Sequence, residues 1–318
     1  MEICLQVLLL AVGFTMLVKG ADLFVDSASE LAARFKIPQL VIGLTIVAMG
    51  TSMPEAAVSI SAALKGSADI TIGNVVGSNI LNILIILGLS AVVTPLAVGR
   101  TTICYEMPFL IGTTALLFVQ GLDGTVGLMD GIVEALFFAA YLVYLLILAK
   151  KKQREEEAGK SREKGDAKTA DERKLWQIML LTGLGLGIVV AGSAVAVDAA
   201  SALARILGMS ERFIGLTIVA LGTSLPELFT SVSAAGKGNA DIAIGNIVGS
   251  CIFNILFVVG LSAIVTPVPF AAGFRFDCIV AGAAALLLLL FCIRDKKLKR
   301  WHGAGLLAGY AAYFLYII

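Results

Sequence analysis

The sequence predicts an all-α integral membrane protein with ten transmembrane helices in two inverted five-helix repeats. Two observations carry this prediction: an apolar composition with ten long apolar runs, and a duplicated segment. The chain has 318 residues, of which 58% are hydrophobic and 15% are charged. A water-soluble core of this size cannot bury so much apolar surface. Apolar runs of about 20 residues cross a bilayer as helices, because a helix satisfies its own backbone hydrogen bonds in lipid.

We place the ten spans, in chain order, at approximately residues 4–26, 38–64, 70–95, 102–120, 127–149, 175–198, 211–236, 242–267, 275–293 and 301–318. The first run has no basic segment ahead of it and no clear cleavage site, so we expect a retained helix rather than a signal peptide.

The duplicated segment relates the two halves of the chain. The phrase IGLTIVAMGTSMPE, which ends at Glu55, returns as IGLTIVALGTSLPE, which ends at Glu227. Residues 20–95 align with 192–267 without a gap at an offset of about 172, and about 45 of the 76 pairs are identical. Because each half has five spans, an odd number, the second half enters the membrane from the opposite face. Such inverted repeats are typical of secondary transporters.

A charged segment divides the chain into a first five-helix repeat (1–149), a linker (150–174) and a second five-helix repeat (175–318). The linker holds about ten Lys or Arg and about seven Asp or Glu, a composition typical of a solvated segment. If it is cytoplasmic, about 19 basic residues fall in inside loops and about four outside. We therefore expect a multi-pass protein of the cell membrane with both termini extracellular. The net charge of +1 shows no nucleic-acid footprint.

Each copy of the duplicated phrase places a carboxylate inside an apolar run, which is expensive in lipid and indicates function. Pro54 and Pro226 lack an amide hydrogen, so we expect each helix to break just before Glu55 or Glu227. Such a break is tolerated only where the freed carbonyls face a cavity, and these carbonyls are oxygen ligands for a cation. Hydroxyl groups join each carboxylate on one side of its helix: Thr51, Ser52, Thr223 and Ser224.

The next span of each half carries one polar helical stripe with a spacing of four residues. Its members are Asn74, Ser78 and Asn82 in the first half and Asn246, Ser250 and Asn254 in the second. We expect the stripe to face the broken helix. Ser78, Asn82, Ser250 and Asn254 are candidate cation ligands, whereas Asn74 and Asn246 serve either as ligands or as interhelical hydrogen-bonding groups.

The candidate donors are carboxylates, amides, hydroxyls and carbonyls, which suit Ca2+ or Na+. Zinc or copper would ordinarily bring His or Cys. The five cysteines show no metal-binding or disulfide spacing and the single histidine, His302, is predicted to lie at an interfacial helix start. We expect no cofactor, only transported ions.

The motifs GTSMPE with GNVVGSNILN, and GTSLPE with GNIVGSCIFN, resemble the paired alpha repeats of the sodium/calcium exchanger family, in particular its compact prokaryotic members. The resemblance implies four cation positions, with Glu55 and Glu227 shared between Ca2+ and flanking Na+ ions. It implies that the carbonyls of Thr51 and Thr223 complete the calcium position. It groups Ala220, Ser224 and Ser250 around one sodium position, and Ala48, Ser52 and Ser78 around the other. Asn82 and Asn254 would line the middle. Many prokaryotic relatives and the potassium-dependent exchangers have aspartate at the position of Asn254, so the amide here argues against potassium coupling.

The expected function is exchange of Na+ for Ca2+ by alternating access, with the first and sixth helices sliding across the bundle as the family implies. Two carboxylates neutralise one Ca2+ but leave three Na+ with one positive charge, so the cycle is expected to be electrogenic. A proton/calcium antiporter of the same fold is the alternative, with the glutamates carrying protons, and a cation channel is a further one. No motif of an intramembrane enzyme is present, so we expect no enzymatic activity.

Four further acidic residues lie outside these motifs. Asp26 and Asp198 are a repeat-matched pair that we interpret as solvating the ends of the first and sixth helices. Glu106 and Glu134 have no counterpart in the other half, and the sequence does not decide what they face. The oligomeric state is likewise undecided.

Overall fold

The protein is described by a computed structural model over residues 2–65, 68–160, 173–209 and 220–317. Within these ranges seven helices are long and apolar enough to cross a membrane, and a bent helix pair adds an eighth span. The chain is therefore a mostly helical, multi-pass membrane protein. Part of the predicted span 211–236 lies outside the described residues.

In its described residues the first half contains eight α-helices and two short strands. They are α1 (Glu2–Phe35), α2 (Gln39–Ile42), α3 (Ala48–Thr51), α4 (Met53–Leu64), α5 (Asp69–Leu81), α6 (Gly88–Val93), β1 (Leu96–Ala97), α7 (Met107–Gln120), β2 (Thr125–Val126) and α8 (Leu128–Lys160). Wider π-helical turns connect some of them, namely Gly43–Val47, Asn82–Leu87 and Thr102–Glu106.

The described part of the second half follows the same order. Its elements are α9 (Leu175–Ile206), α10 (Ala220–Thr223), α11 (Leu225–Gly236), α12 (Ala240–Phe253), a π-helical turn (Asn254–Val259), α13 (Gly260–Val265), β3 (Val268–Pro269), α14 (Ala272–Ile293), β4 (Lys297–Leu298) and α15 (Arg300–Ile317).

Three helices extend further than their apolar runs. Helix α1 continues from residue 26 to Phe35, and α9 continues from residue 198 to Ile206. Both added segments contain several alanines, which are strong helix formers, together with Ser and Arg, which interrupt the apolar runs. Helix α8 likewise runs to Lys160, so the charged segment 150–174 begins as helix.

Two apolar spans form the centre of the molecule. Within 70–93 and 240–265 the most apolar windows are 78% and 83% buried, against 17% to 39% for the other five long spans. These two central spans carry the polar stripes. The other long helices surround them and are open to lipid on their outer faces, so the chain positions its polar stripes at the protein interior.

Helices α1 and α9 pack against each other through matched glycines. A Cβ atom at Gly13 would lie 2.7 Å from the backbone nitrogen of Ala196, and one at Gly185 would lie 2.7 Å from that of Phe24. Small residues allow such close approach between membrane helices. A small apolar cluster that includes Leu17 and Val189 fills the contact. The two helices therefore form one tightly packed pair.

Two short antiparallel ladders join the halves. Strand β1 pairs with β4 through Leu96 and Leu298, and β2 pairs with β3 through Val126 and Val268. Strands β1 and β2 lie before and after helix α7, so the ladders lie at opposite ends of this helix. The repeat offset of about 172 places β1 on β3 and β2 on β4. The ladders are therefore related to each other by the repeat.

Candidate cation site

In each half a helix is interrupted three residues before its glutamate. Helix α3 ends at Thr51, Ser52 leaves the helical conformation (φ −83°, ψ 7°), and α4 begins with Pro54 in its first turn. The two segments bend by 48°. Ser224 repeats this geometry between α10 and α11 (φ −89°, ψ 2°). The predicted proline break is confirmed, because proline has no N–H to continue the ladder of backbone hydrogen bonds.

The two glutamates each lie in the first turn of a helix that follows a break, where the positive end of the helix favours an anion. Both side chains have no solvent exposure. Ser52 Oγ donates a hydrogen bond of 2.7 Å to Glu227 Oε1, and Ser224 Oγ donates one of 3.2 Å to Glu55 Oε1. Each half therefore holds the carboxylate of the other half.

The second carboxylate oxygen of each glutamate lacks a partner within the described residues. Glu55 Oε2 and Glu227 Oε2 are both buried and accept no hydrogen bond there. A buried, unpaired carboxylate is strongly unfavourable unless a cation or a proton compensates it. These two oxygens are therefore available to a bound cation.

Thr51, the threonine of the first break, contacts both halves of the chain. Thr51 Oγ1 lies 3.0 Å from Asn246 Oδ1 and 3.1 Å from the carbonyl oxygen of Val47. This hydroxyl therefore joins the first break to the polar stripe of the second half. Thr223, the matching residue, is the last residue of α10.

Asn74 and Asn246 connect the stripe to the broken helix of their own half. Asn74 Nδ2 donates to the backbone oxygen of Glu55 at 3.2 Å and to Ser59 Oγ at 2.9 Å. Asn246 Nδ2 donates to the backbone oxygen of Glu227 at 3.5 Å and to Ser231 Oγ at 2.8 Å. Of the two roles considered for these amides, the structure shows interhelical hydrogen bonds.

The serines of the stripe face the broken helix of the other half. Ser250 Oγ donates to the carbonyl oxygen of Ala48 at 3.3 Å, and Ser78 Oγ lies 3.4 Å from Ser224 Oγ. These hydrogen bonds do not test the expected ion grouping, in which Ser250 joins Ser224 and Ser78 joins Ala48, so that grouping stays a prediction. Ala220 is the first residue of α10.

The middle asparagines are not equivalent. Both side-chain polar atoms of Asn82 are buried without a partner in the described chain, and so is Asn254 Oδ1. Asn254 Nδ2 instead donates to Asn79 Oδ1 at 3.2 Å, while Asn79 Nδ2 donates to the carbonyl oxygen of Cys251 at 3.1 Å. Asn79 was missed by sequence reasoning. Its signal is a break in the repeat, because Asn79 aligns with Cys251.

These contacts bring one set of oxygen donors together from both halves. The polar residues of the set are buried: Thr51, Ser52, Glu55, Ser78, Asn82, Ser224, Glu227, Ser250 and Asn254. Within the described ranges no group of three or more His, Cys, Asp or Glu could hold a metal. A set of hydroxyl, amide and carbonyl oxygens with two carboxylates suits Ca2+ or Na+ rather than a transition metal.

Comparison with known proteins agrees with this chemistry. The family model described as sodium/calcium exchanger protein matches residues 5–148 and 177–318. The chain belongs to the sodium/calcium exchanger family. Its membership explains why hard oxygen donors from both halves meet at buried breaks.

The chain is similar to relatives over almost its whole length. It is 41% identical to the putative antiporter CaxA of Alkalimonas amylolytica, covering 91% of this chain and 90% of the relative. It is 32% identical to the sodium/calcium exchanger MaX1 of Methanosarcina acetivorans, covering 98% of each. It is also similar to solved structures of the sodium-calcium exchanger NCX_Mj. A structure soaked with 2.5 mM Na+ and 0.1 mM Ca2+ is 32% identical, with a TM-score of 0.83 over 98% of each chain.

Other polar groups of the chain lie outside the site. Ser193 Oγ on α9 donates a 2.6 Å hydrogen bond to the carbonyl of Gly222, one of the two carbonyls expected to be freed by the prolines. Glu106 accepts a hydrogen bond from Tyr144, and Glu134 lies beside Gly260. Ser193 aligns with Ala21 in the other half, so only the asymmetry of the repeat could have indicated it.

Proposed function

We propose that this exchanger carries Ca2+ in one direction and Na+ in the other by alternating access, and that the cycle is electrogenic. The observation that carries the proposal is the reciprocal pair of contacts from Ser52 to Glu227 and from Ser224 to Glu55. Both carboxylates are buried, and each keeps one oxygen without a protein partner in the described chain. A site built in this way requires a compensating positive charge, and its neutral oxygen donors favour a metal cation over a proton.

The proposed ligands are the two carboxylates together with neutral oxygens, which are the residues Glu55, Glu227, Thr51, Thr223, Ser52, Ser224, Ala48, Ala220, Ser78, Ser250, Asn82 and Asn254. Calcium takes six to eight oxygens in flexible geometry. The central site can provide this number only by drawing on both repeats. Neither half is therefore expected to bind Ca2+ by itself.

Charge arithmetic couples the ions and predicts a current. The site carries a charge of −2 when both glutamates are ionised, so one Ca2+ neutralises it and three Na+ leave it at +1. An empty site would leave two bare charges in a low-dielectric interior, a state that is strongly unfavourable. Crossing therefore requires a loaded site, and the Na+ step responds to voltage at about 2.3 kcal/mol per charge per 100 mV.

We propose a topology of ten spans in two inverted repeats, 1–149 and 175–318, with the segment 150–174 in the cytoplasm and both termini outside. The two repeat-related ladders support inversion, because they lie at opposite ends of α7. Basic residues of the β4 region, including Lys296, Lys297 and Lys299, would then lie on the cytoplasmic side. The α1 and α9 pair is proposed to slide across the central spans.

The test uses purified protein in liposomes that are loaded with Na+ and diluted into Na+-free medium with tracer Ca2+. A potassium gradient with valinomycin sets the membrane voltage. We expect Ca2+ uptake that requires internal Na+, and that increases when the liposome interior is made more positive. The voltage dependence arises because one net positive charge leaves in each cycle.

Two outcomes would replace the proposal. Uptake that follows a pH gradient and is indifferent to Na+ and to voltage would indicate a proton/calcium antiporter, in which two protons replace one Ca2+. Ca2+ flux that needs no counter-ion, and that runs down its own gradient at high rate, would indicate a channel.

A further inference from the structure

A polar cluster joins the end of α11 to the middle of α1, away from the cation site. Lys237 directly follows α11, and its Nζ lies 2.7 Å from Asp26 Oδ1 and 3.5 Å from Asp22 Oδ1. It also donates to the backbone oxygen of Asp22 at 2.8 Å. Ser233 Oγ donates to Asp22 Oδ1 at 2.7 Å. We call Asp22, Asp26, Ser233 and Lys237 the Lys237 cluster.

The repeat places the same groups at the other side of the molecule. At the offset of about 172, Lys237 aligns with Lys65, Ser233 with Ser61, and Asp26 with Asp198. Both Lys65 and Asp198 are exposed. No ion pair joins them in the described part of the chain. One half thus forms the cluster, and the other half carries its charged residues apart.

The helix packing beside Lys237 also differs from that beside Lys65. Helix α1 covers α11, with the rings of Phe14 and Phe229 5.9 Å apart, and Thr230 on α11 is fully buried. Its repeat counterpart on α4, Val58, is 41% exposed. The face of α4 instead borders an open cavity of about 470 Å³, lined by Ala57, Val58, Ser61, Ala62, Lys65 and Ile70. Helix α9 does not cover α4 as α1 covers α11.

We propose that Lys237 and Lys65 are positioning residues of the transport cycle, which alternately hold α1 on α11 and α9 on α4. The inference rests on the alternating access of the proposed function. Because α1 and α9 pack as one pair, a slide that separates Asp26 from Lys237 carries Asp198 toward Lys65. In this structure the first ion pair is formed and the second is open. The cavity along α4 is the place that α9 occupies when the second pair forms.

The ion pairs available to Lys237 and to Lys65 are not equally strong. Asp22, the second carboxylate of the Lys237 cluster, aligns with Ala194, so Lys65 has one repeat-matched carboxylate where Lys237 has two. More favourable charge pairs stabilise the conformation that makes them. The chain is therefore biased toward the conformation with the Lys237 cluster formed, which is the conformation seen here.

The expected effect is moderate. The side chains of Lys237 and Asp26 are 29% and 63% exposed, and exposed ion pairs contribute little to stability. Removing one such pair shifts a two-state ratio about two- to fivefold. This shift is large enough to change which side of the protein is open, while leaving the fold intact.

The test measures distances in the full chain in liposomes by double electron–electron resonance. Spin labels are attached at Phe35→Cys with Gly236→Cys for one side, and at the repeat-matched Leu64→Cys with Leu207→Cys for the other, with exposed Cys4 and Cys104 replaced by Ser. All four label sites are exposed, and a Cβ at Gly236 meets no atom within 4 Å. In the otherwise unchanged chain we expect a dominant short distance between 35 and 236 and a dominant long one between 64 and 207.

Two substitutions, Lys237→Gln and Asp22→Ala, weaken the Lys237 cluster, and Ala194→Asp adds a second carboxylate for Lys65. Each is expected to increase the population with the short 64–207 distance by about two- to fivefold. Lys65→Gln is expected to act in the opposite direction. General destabilisation cannot produce opposite shifts from two matched Lys→Gln changes. Shifts in the same direction, or no shift in any variant, would overturn the proposal. Distances do not depend on which ion drives Ca2+, so failure of Na+ coupling in the flux assay is a separate result.

A transport measurement completes the test. In sided liposomes, Lys237→Gln is expected to change the half-saturating Ca2+ concentration on the two faces in opposite directions, with the maximal rate changed less. A loss of maximal rate with unchanged half-saturation on both faces would contradict a role in positioning.

Discussion

Ser52 Oγ lies 2.7 Å from Glu227 Oε1, although the two residues are separated by 175 positions in the chain. Each belongs to a different repeat, and the matched contact runs from Ser224 to Glu55. The cation site is therefore shared, and a change in one half must alter the chemistry of the other. The predictions below follow from this exchange of contacts and from the packing that supports it.

Replacement of either glutamate by glutamine is expected to reduce Ca2+ uptake at least about 100-fold. Removing one partner of a buried charge pair costs about 3–5 kcal/mol, because the remaining charge loses its compensation. Glu106→Gln is the matched control, since Glu106 is also a buried glutamate but contacts Tyr144 rather than the site. Uptake assays in liposomes, with thermal unfolding to verify the fold, measure the effect. Normal transport by both Glu55→Gln and Glu227→Gln would show that the site lies elsewhere.

Ser52→Ala is expected to raise the half-saturating Ca2+ concentration about five- to tenfold. A hydrogen bond to a charged group contributes about 1.5 kcal/mol or more, and here part of it is retained through other oxygens. Ser224→Ala is expected to have a smaller effect, because its bond to Glu55 is longer, 3.2 Å against 2.7 Å.

The controls for these serines are Ser90→Ala and Ser262→Ala. Both hydroxyls are buried and make no hydrogen bond within the described residues, so their removal is expected to leave the half-saturating concentration within twofold. Equal effects of all four alanine changes would indicate that helix packing, rather than the Ser–Glu contacts, determines affinity.

Gly185→Ala is expected to destabilise the protein by about 1–3 kcal/mol and to slow transport, because overpacking forces helices apart. A Cβ at Gly185 would lie 2.7 Å from the backbone nitrogen of Phe24 on α1. Gly187→Ala is the control on the same helix, since a Cβ there meets no atom within 4 Å. It is expected to be neutral or slightly stabilising, because alanine is a better helix former than glycine. Thermal unfolding in detergent compares the two, and an equal loss in both would argue against close α1–α9 packing.

Asn79→Ala is expected to lower both stability and Ca2+ affinity. It leaves the side-chain amide of Asn254 without its partner, and an unsatisfied buried group costs about 1–3 kcal/mol. It also removes one hydrogen bond to the Cys251 carbonyl oxygen, which keeps the one from the Asn254 backbone N–H. Cys251→Ala is the control, because the thiol makes only a weak contact of 3.9 Å and the backbone acceptor is retained. Unfolding temperature and half-saturating Ca2+ are measured for both. Equal behaviour of the two variants would remove Asn79 from the support of Asn254.

Much of the local structure was predictable from residues alone. Pro54 and Pro226 cannot continue a helix, so the breaks at Ser52 and Ser224 were expected. The apolar runs identified the seven long spans and the bent pair found in the described residues. They ended short of the alanine-rich ends of α1 and α9, which are helical. The single asymmetric position Asn79 was overlooked, because a stripe at a spacing of four residues does not include it.

The sequence by itself determined the duplication, the helix breaks and the oxygen donors, since these depend on side-chain chemistry and on short spacings along one helix. Only the tertiary structure decided that Ser250 meets Ala48 and that Ser52 meets Glu227. It also decided that α1 covers α11 while α4 stays open. The physical reason is that two nearly identical repeats contain the same local information. The packing of helices about 170 residues apart determines which elements of the two repeats contact each other.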